Sequence, residues 1–154
     1  MVIREVGIMV RGYPLVYSNY HQTGSKQIDI VLRSGLLSGI LTFIDTAYKA
    51  EIIEFIESNK YTIAFKARKI EGISSTEPEP IVAYAILDKE KKLDNFISKN
   101  VVPFLLKILN QFILKYTGVN LSEVTQFIDF KENLDKMFIS ESKSTEDKFK
   151  GLIT

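Results

Sequence analysis

The apolar positions of this chain change period several times, and the order of the periods predicts the architecture. Val6, Ile8 and Val10 alternate with Glu5, Gly7, Met9 and Arg11, which is strand spacing. Gly12-Tyr13-Pro14 predicts a turn, and Leu15 to Tyr20 returns as a second strand, so the chain opens on a hairpin. Residues 21–27 are polar and read as a loop. From Ile28 the period lengthens: Leu32, Leu36, Ile40, Ile44 and Ala47 recur at three- or four-residue steps, predicting a helix over 28–48 with a wide apolar surface.

Glu51 to Glu57 and Tyr61 to Ile70 read as the next two strands. Glu51, Glu54 and Glu57 place the first of them at a sheet edge, where charge discourages misassembly. Residues 71–80 carry Gly, Ser, Thr and two Pro and read as an exposed loop. Ile81 to Leu87 (IVAYAIL) is apolar on both faces, so it belongs inside a sheet covered on both sides. A helical pattern follows from Leu93 to Tyr116, with Pro103 predicted to kink or divide it near Asn100 and Gly118 to end it. Asn120 and Glu123 resemble a capping box opening a last helix, with Val124, Phe127, Leu134, Met137 and Phe138 on its buried side. Residues 140–154 are polar and mixed in charge, the composition of a flexible tail. The expectation is one domain over 1–139 and a tail over 140–154. The fold expected is α+β, a five-stranded antiparallel sheet with one helix on one face and two on the other.

Composition narrows the function classes. A length of 154 residues suits one domain with a substantial core. The formal net charge of +1 gives no electrostatic argument for nucleic acid or an anionic membrane. With no cysteine, disulfides, thiolate metal sites and cysteine nucleophiles are excluded. Charge interrupts Met1 to Glu5, so a signal peptide is not expected there. The run Val101 to Leu114 is broken by Pro103, Lys107, Asn110 and Gln111, so no integral membrane segment is expected and a cytoplasmic location is.

The order hairpin, helix, three-stranded meander and two helices, with GYPLVYSN at residues 12–19 and DIVLRSGLLSGILTF at 29–43, resembles the longin domain family. The roadblock relatives share the core but usually begin with a further helix. The resemblance spans roughly residues 2 to 138 and implies a sheet with the fifth strand central and the second and third at the edges. It also implies a noncatalytic platform that dimerises, with itself or with another longin or roadblock protein. Such platforms bind or regulate a small GTPase, or form part of a vesicle-trafficking type of complex. Fusion longins continue into a heptad coil and a membrane anchor, so a free-standing platform is the expectation here.

Candidate chemistry is sparse. His21 is the only histidine, which precludes a histidine metal cluster and leaves a Ser-His-acid site resting on a single loop residue. Glu54 with Glu57, and Asp129 with Glu132, have the spacing of solvated surface pairs, against a general acid–base reading. The knot Lys89, Lys91 and Lys92 is interleaved with Asp88, Glu90 and Asp94, which suits a solvated turn. No phosphate-binding glycine loop occurs, and no cofactor, metal or catalytic residue is expected. Gly35 and Gly39 lie four apart on one helical face beside Ser34 and Ser38. Each glycine costs about 1 kcal/mol relative to alanine in a helix. Two readings stay open: close helix-to-sheet packing within the chain, or close contact with a second subunit. The interface expected on the second reading comprises Arg33, Gly35, Gly39, Ile52, Ile53 and Phe55. Tyr13, Tyr17 and Tyr20 are aromatic residues that the hairpin can present at a surface. The competing function is a small-molecule sensor of PAS-like or GAF-like type, which would bury a polar anchor. The core expected from the sequence contains no buried charge or histidine.

Overall fold

The computed structural model describes residues 3–10, 13–20, 35, 39, 55–57, 61–71, 79–89, 91, 94–121 and 123–153. Strands β1 (Ile3–Val10) and β2 (Tyr13–Asn19) form the opening hairpin, with Val10 opposite Tyr13. Pro14 has no N–H to donate, and β2 tolerates it because it lies at the edge of the sheet. The register shifts between Ile8, opposite Val16, and Met9, opposite Pro14, which leaves Leu15 as the extra residue of a bulge.

Strands β3 (Phe55–Glu57), β4 (Tyr61–Ile70) and β5 (Glu79–Asp88) complete an antiparallel sheet of order β2-β1-β5-β4-β3. Its centre is β5, where every residue from Ile81 to Leu87 is at most 1% exposed. Burial on both faces is what an uninterrupted apolar run requires. On one face Val6, Ile8, Ala64, Ala83, Ala85 and Leu87 belong to the main core. On the other, Met9, Ile63, Phe65, Val82, Tyr84 and Ile86 make a second buried cluster.

The helices follow the sheet. A single turn (Asp94–Phe96) passes into a π-helical segment (Ile97–Val101) and then into α1 (Val102–Tyr116). Pro103 explains this division. It offers no N–H to the turn before it, while the Val102 N–H reaches back five residues to the Ile97 carbonyl. Gly118, at φ 86°, takes the left-handed position that ends α1, and its N–H donates to the Glu71 carbonyl at 2.8 Å. A 3-10 turn (Val124–Phe127) then leads into α2 (Ile128–Ile153). Phe112 and Tyr116 of α1 meet Phe127 and Phe130 at ring-centroid separations of 4.8 to 6.1 Å. Each such pair contributes about 0.5–1.5 kcal/mol beyond area burial, and together they fasten the two helices.

These observations correct the expected arrangement of five full strands with one helix on one face and two on the other. The body of the sheet is four strands, β1, β2, β4 and β5. The described part of the expected strand Glu51 to Glu57 is the three-residue β3, a short edge segment held by β4 alone. An edge strand rich in glutamate has one ladder and few side chains to bury. Both described helices pack on the same face, against the main core. The expected helix 28–48 lies outside the described residues apart from Gly35 and Gly39, which are helical. Residues 140–153, expected as a flexible tail, continue α2.

The run Asp94–Tyr116 is 23 residues long and contains an 18-residue stretch of mean hydropathy 1.2, enough by length and composition to cross a membrane. Its apolar side is already used: Ile97, Leu105, Ile108, Leu109 and Phe112 are fully buried against the sheet and α2. That is the placement of a core helix.

Candidate functional site

The residues singled out from the sequence fall in different places. Gly35 and Gly39 are helical and exposed, and a side chain begun at either would meet no atom within 4 Å. Among the described residues, then, nothing presses on Gly35 or Gly39. Phe55 opens β3 opposite Ala64. Arg33, Ile52, Ile53 and His21 lie outside the described residues, as do Glu54 and Lys92. Asp129 and Glu132 are both exposed on α2, and Lys89 and Lys91 are exposed after β5, so neither group forms a cleft. Among the described residues no cluster of three His, Asp or Glu side chains is placed to hold a metal ion.

The chemistry that the sequence reading missed is a buried carboxylate. Glu5 is 0% exposed, although the core expected from the sequence contained no charge. Its Oε2 accepts a hydrogen bond of 2.7 Å from the Tyr84 hydroxyl, itself fully buried on β5. Tyr84 stands opposite Gly7 in the ladder. Its ring crosses above Gly7 to reach Glu5: a Cβ added at Gly7 would lie 2.6 Å from the Tyr84 hydroxyl oxygen and 2.7 Å from Cζ. Glycine at position 7 is therefore the space that the ring occupies. Glu5, Gly7 and Tyr84 form one unit, and the sequence signal for it was a glycine flanked by alternating apolar residues two positions after an acid.

Two further polar links tie the elements together. Arg4 donates to Asp88 through Nε and Nη2, at 2.8 and 2.9 Å, joining the start of β1 to the end of β5. This two-pronged geometry suits a planar guanidinium. The hydrogen bond to Asp88 raises the Arg4 pKa further above its ordinary value. Next to Arg4, just past the end of β2, the Tyr20 hydroxyl donates to Asp135 of α2 at 2.8 Å, and its ring stacks on Phe138 at 3.7 Å between centroids. Burial, aided by the Asp135 hydrogen bond, pushes the Tyr20 phenol well above its ordinary pKa.

Between β2 and the start of α2 lies an open groove of about 360 Å³. Leu15, Val16 and Phe127 form its walls, and Tyr17, Ile128 and Lys131 its rims. Tyr17 is 38% and Ile128 66% exposed. No protein-family model and no curated protein matches this chain.

Proposed function

We propose that this protein is a noncatalytic interaction platform that pairs with a second copy or with another longin or roadblock protein and engages a small GTPase. The observation that carries the reading is the glycine strip. Gly35 and Gly39 are helical and exposed, with open space where a Cβ would stand, so close packing against the described residues does not account for them. Two glycines cost about 1 kcal/mol each in a helix, and close approach of another backbone is a physical reason to keep them. The hairpin and first helix that resemble the longin family supply the kind of partner. The test is a pulldown from native lysate with wild-type protein and with Gly39→Leu, read by mass spectrometry alongside light scattering at tens of micromolar. A GTPase or longin-type partner that is recovered by the wild type and lost in the variant supports the platform. Equal recovery by both proteins removes the glycine strip as its basis.

The sensor reading gains one observation, the buried Glu5, which is the polar anchor such domains use. However, Glu5 is engaged by Tyr84 of the same chain, and the ring fills the space over Gly7. Glu5 therefore acts as an internal tie, and native mass spectrometry of purified protein decides the matter. A retained small molecule would favour the sensor.

A further inference from the structure

We propose that the groove between β2 and α2 docks an extended, acid-bearing segment of a partner protein, which adds to the sheet as a strand. This site shares no residue with the glycine strip and does not depend on the platform reading. Strand order ends on β2, so its outer side is a sheet edge. The phase of the ladder is set by the Tyr20 N–H, which donates to the Arg4 carbonyl at 3.0 Å. Peptide groups alternate along a strand, so Asn19 turns its N–H and C=O outward, toward the groove that it helps to line. An added strand finds main-chain partners there and apolar contact with Tyr17 and Ile128, both exposed at the rim.

The groove is preformed, because the Tyr20 contacts with Asp135 and Phe138 hold β2 against α2. Preorganisation of this kind lowers the ordering cost of binding. Charge selects the occupant. Lys131 is the only charged side chain among the described lining residues, so an acidic group on the incoming segment meets it. A second copy of this chain fits less well. Its β2, Tyr13–Asn19, carries no acidic residue, so a β2-to-β2 pairing would leave both lysines uncompensated.

The probe is a short capped peptide of alternating valine and threonine with one glutamate, titrated into isotope-labelled protein and followed by amide chemical shifts. The expected result is a set of shifts confined to Leu15, Tyr17, Asn19, Ile128 and Lys131. Replacing the peptide's glutamate with lysine should weaken binding about threefold, the scale of an exposed ion pair, and Lys131→Glu should reverse that preference. Both partners of the substitution are surface groups, so the variant's own spectrum shows that it is folded. Shifts at β3 instead, no shifts at all, or equal binding of the two peptides would overturn the proposal. So would the same residues shifting with protein concentration alone, since that places a second copy in the groove.

Discussion

Gly7→Ala is a single-methyl change that tests the buried unit of Glu5, Gly7 and Tyr84. The new Cβ would sit 2.6 Å from the Tyr84 hydroxyl oxygen, 2.7 Å from Cζ and 2.9 Å from the Cβ of Tyr17. Such separations are far inside van der Waals contact, so the ring must move. Tyr84 is fully buried and its hydroxyl is held by Glu5, so movement sacrifices that hydrogen bond. Overpacking a core typically costs about 1–3 kcal/mol. Losing the hydrogen bond adds about 0.5–1.5 kcal/mol. Together they predict a loss of roughly 1.5–4.5 kcal/mol, a large share of a typical domain's stability. Urea unfolding followed by circular dichroism measures it, as a fall in midpoint at unchanged slope. Tyr84→Ala supplies the internal control. In that background the contacts with the ring are gone and only the Tyr17 contact remains, so most of the Gly7→Ala penalty should disappear, a coupling read from a double-mutant cycle. A Gly7→Ala cost under about 0.5 kcal/mol, within the range of ordinary surface substitutions, would refute the placement of the ring.

Tyr20 should make stability fall in alkali. Its phenol is held protonated in the folded state by burial and by Asp135, so its contribution is complete below the unfolded value near 10 and declines as pH rises above it. Tyr20→Phe should flatten the dependence of the urea midpoint on pH in that range, while keeping the stack on Phe138 and losing about 1 kcal/mol at neutral pH. Arg4→Ala removes both prongs of the Asp88 pair and should lower stability by about 1–2 kcal/mol, whereas Arg4→Lys should restore only part of it, as thermal unfolding will show. Deleting residues 141–154 should reduce the far-ultraviolet helical signal but leave the melting temperature nearly unchanged, since among the described side chains of α2 the last fully buried one is Leu134.

Periodicity made the centre of this fold readable. Ile81 to Leu87 could only be an inner strand, and the helical stripe from Phe96 to Tyr116 could only be core, because in both the burial requirement is written at every position. Pro103 also announced a break, and the π-helical segment before α1 is the form it takes. Glu5 was not legible for the opposite reason. One charge in an alternating strand reads as a solvent-facing position, and only the distant Tyr84 shows why it can be inside. Of the expected strand Glu51 to Glu57, the described pairing covers Phe55–Glu57, a ladder to β4 that the alternation of Phe55 and Glu57 about Ile56 made readable. The last helix was under-read. Low hydropathy over 140–153 suggested a tail, yet the segment continues α2, and hydropathy does not register helix propensity.

The π-helical turn also solves a problem of angular phase. In a straight α-helix residues four apart drift by about 40°, so Ile97, Val101, Leu105 and Leu109 would fan out by roughly 120° across three steps. All four are nevertheless at most 3% exposed. The wider turn at Ile97–Val101 rotates the chain less per residue and removes the drift of the first step, so the fan over the four side chains narrows to roughly the 80° of the two α-helical steps. That one loosened turn works like the leap day of a calendar, taking up part of a mismatch that a four-residue rhythm would otherwise accumulate along the sheet.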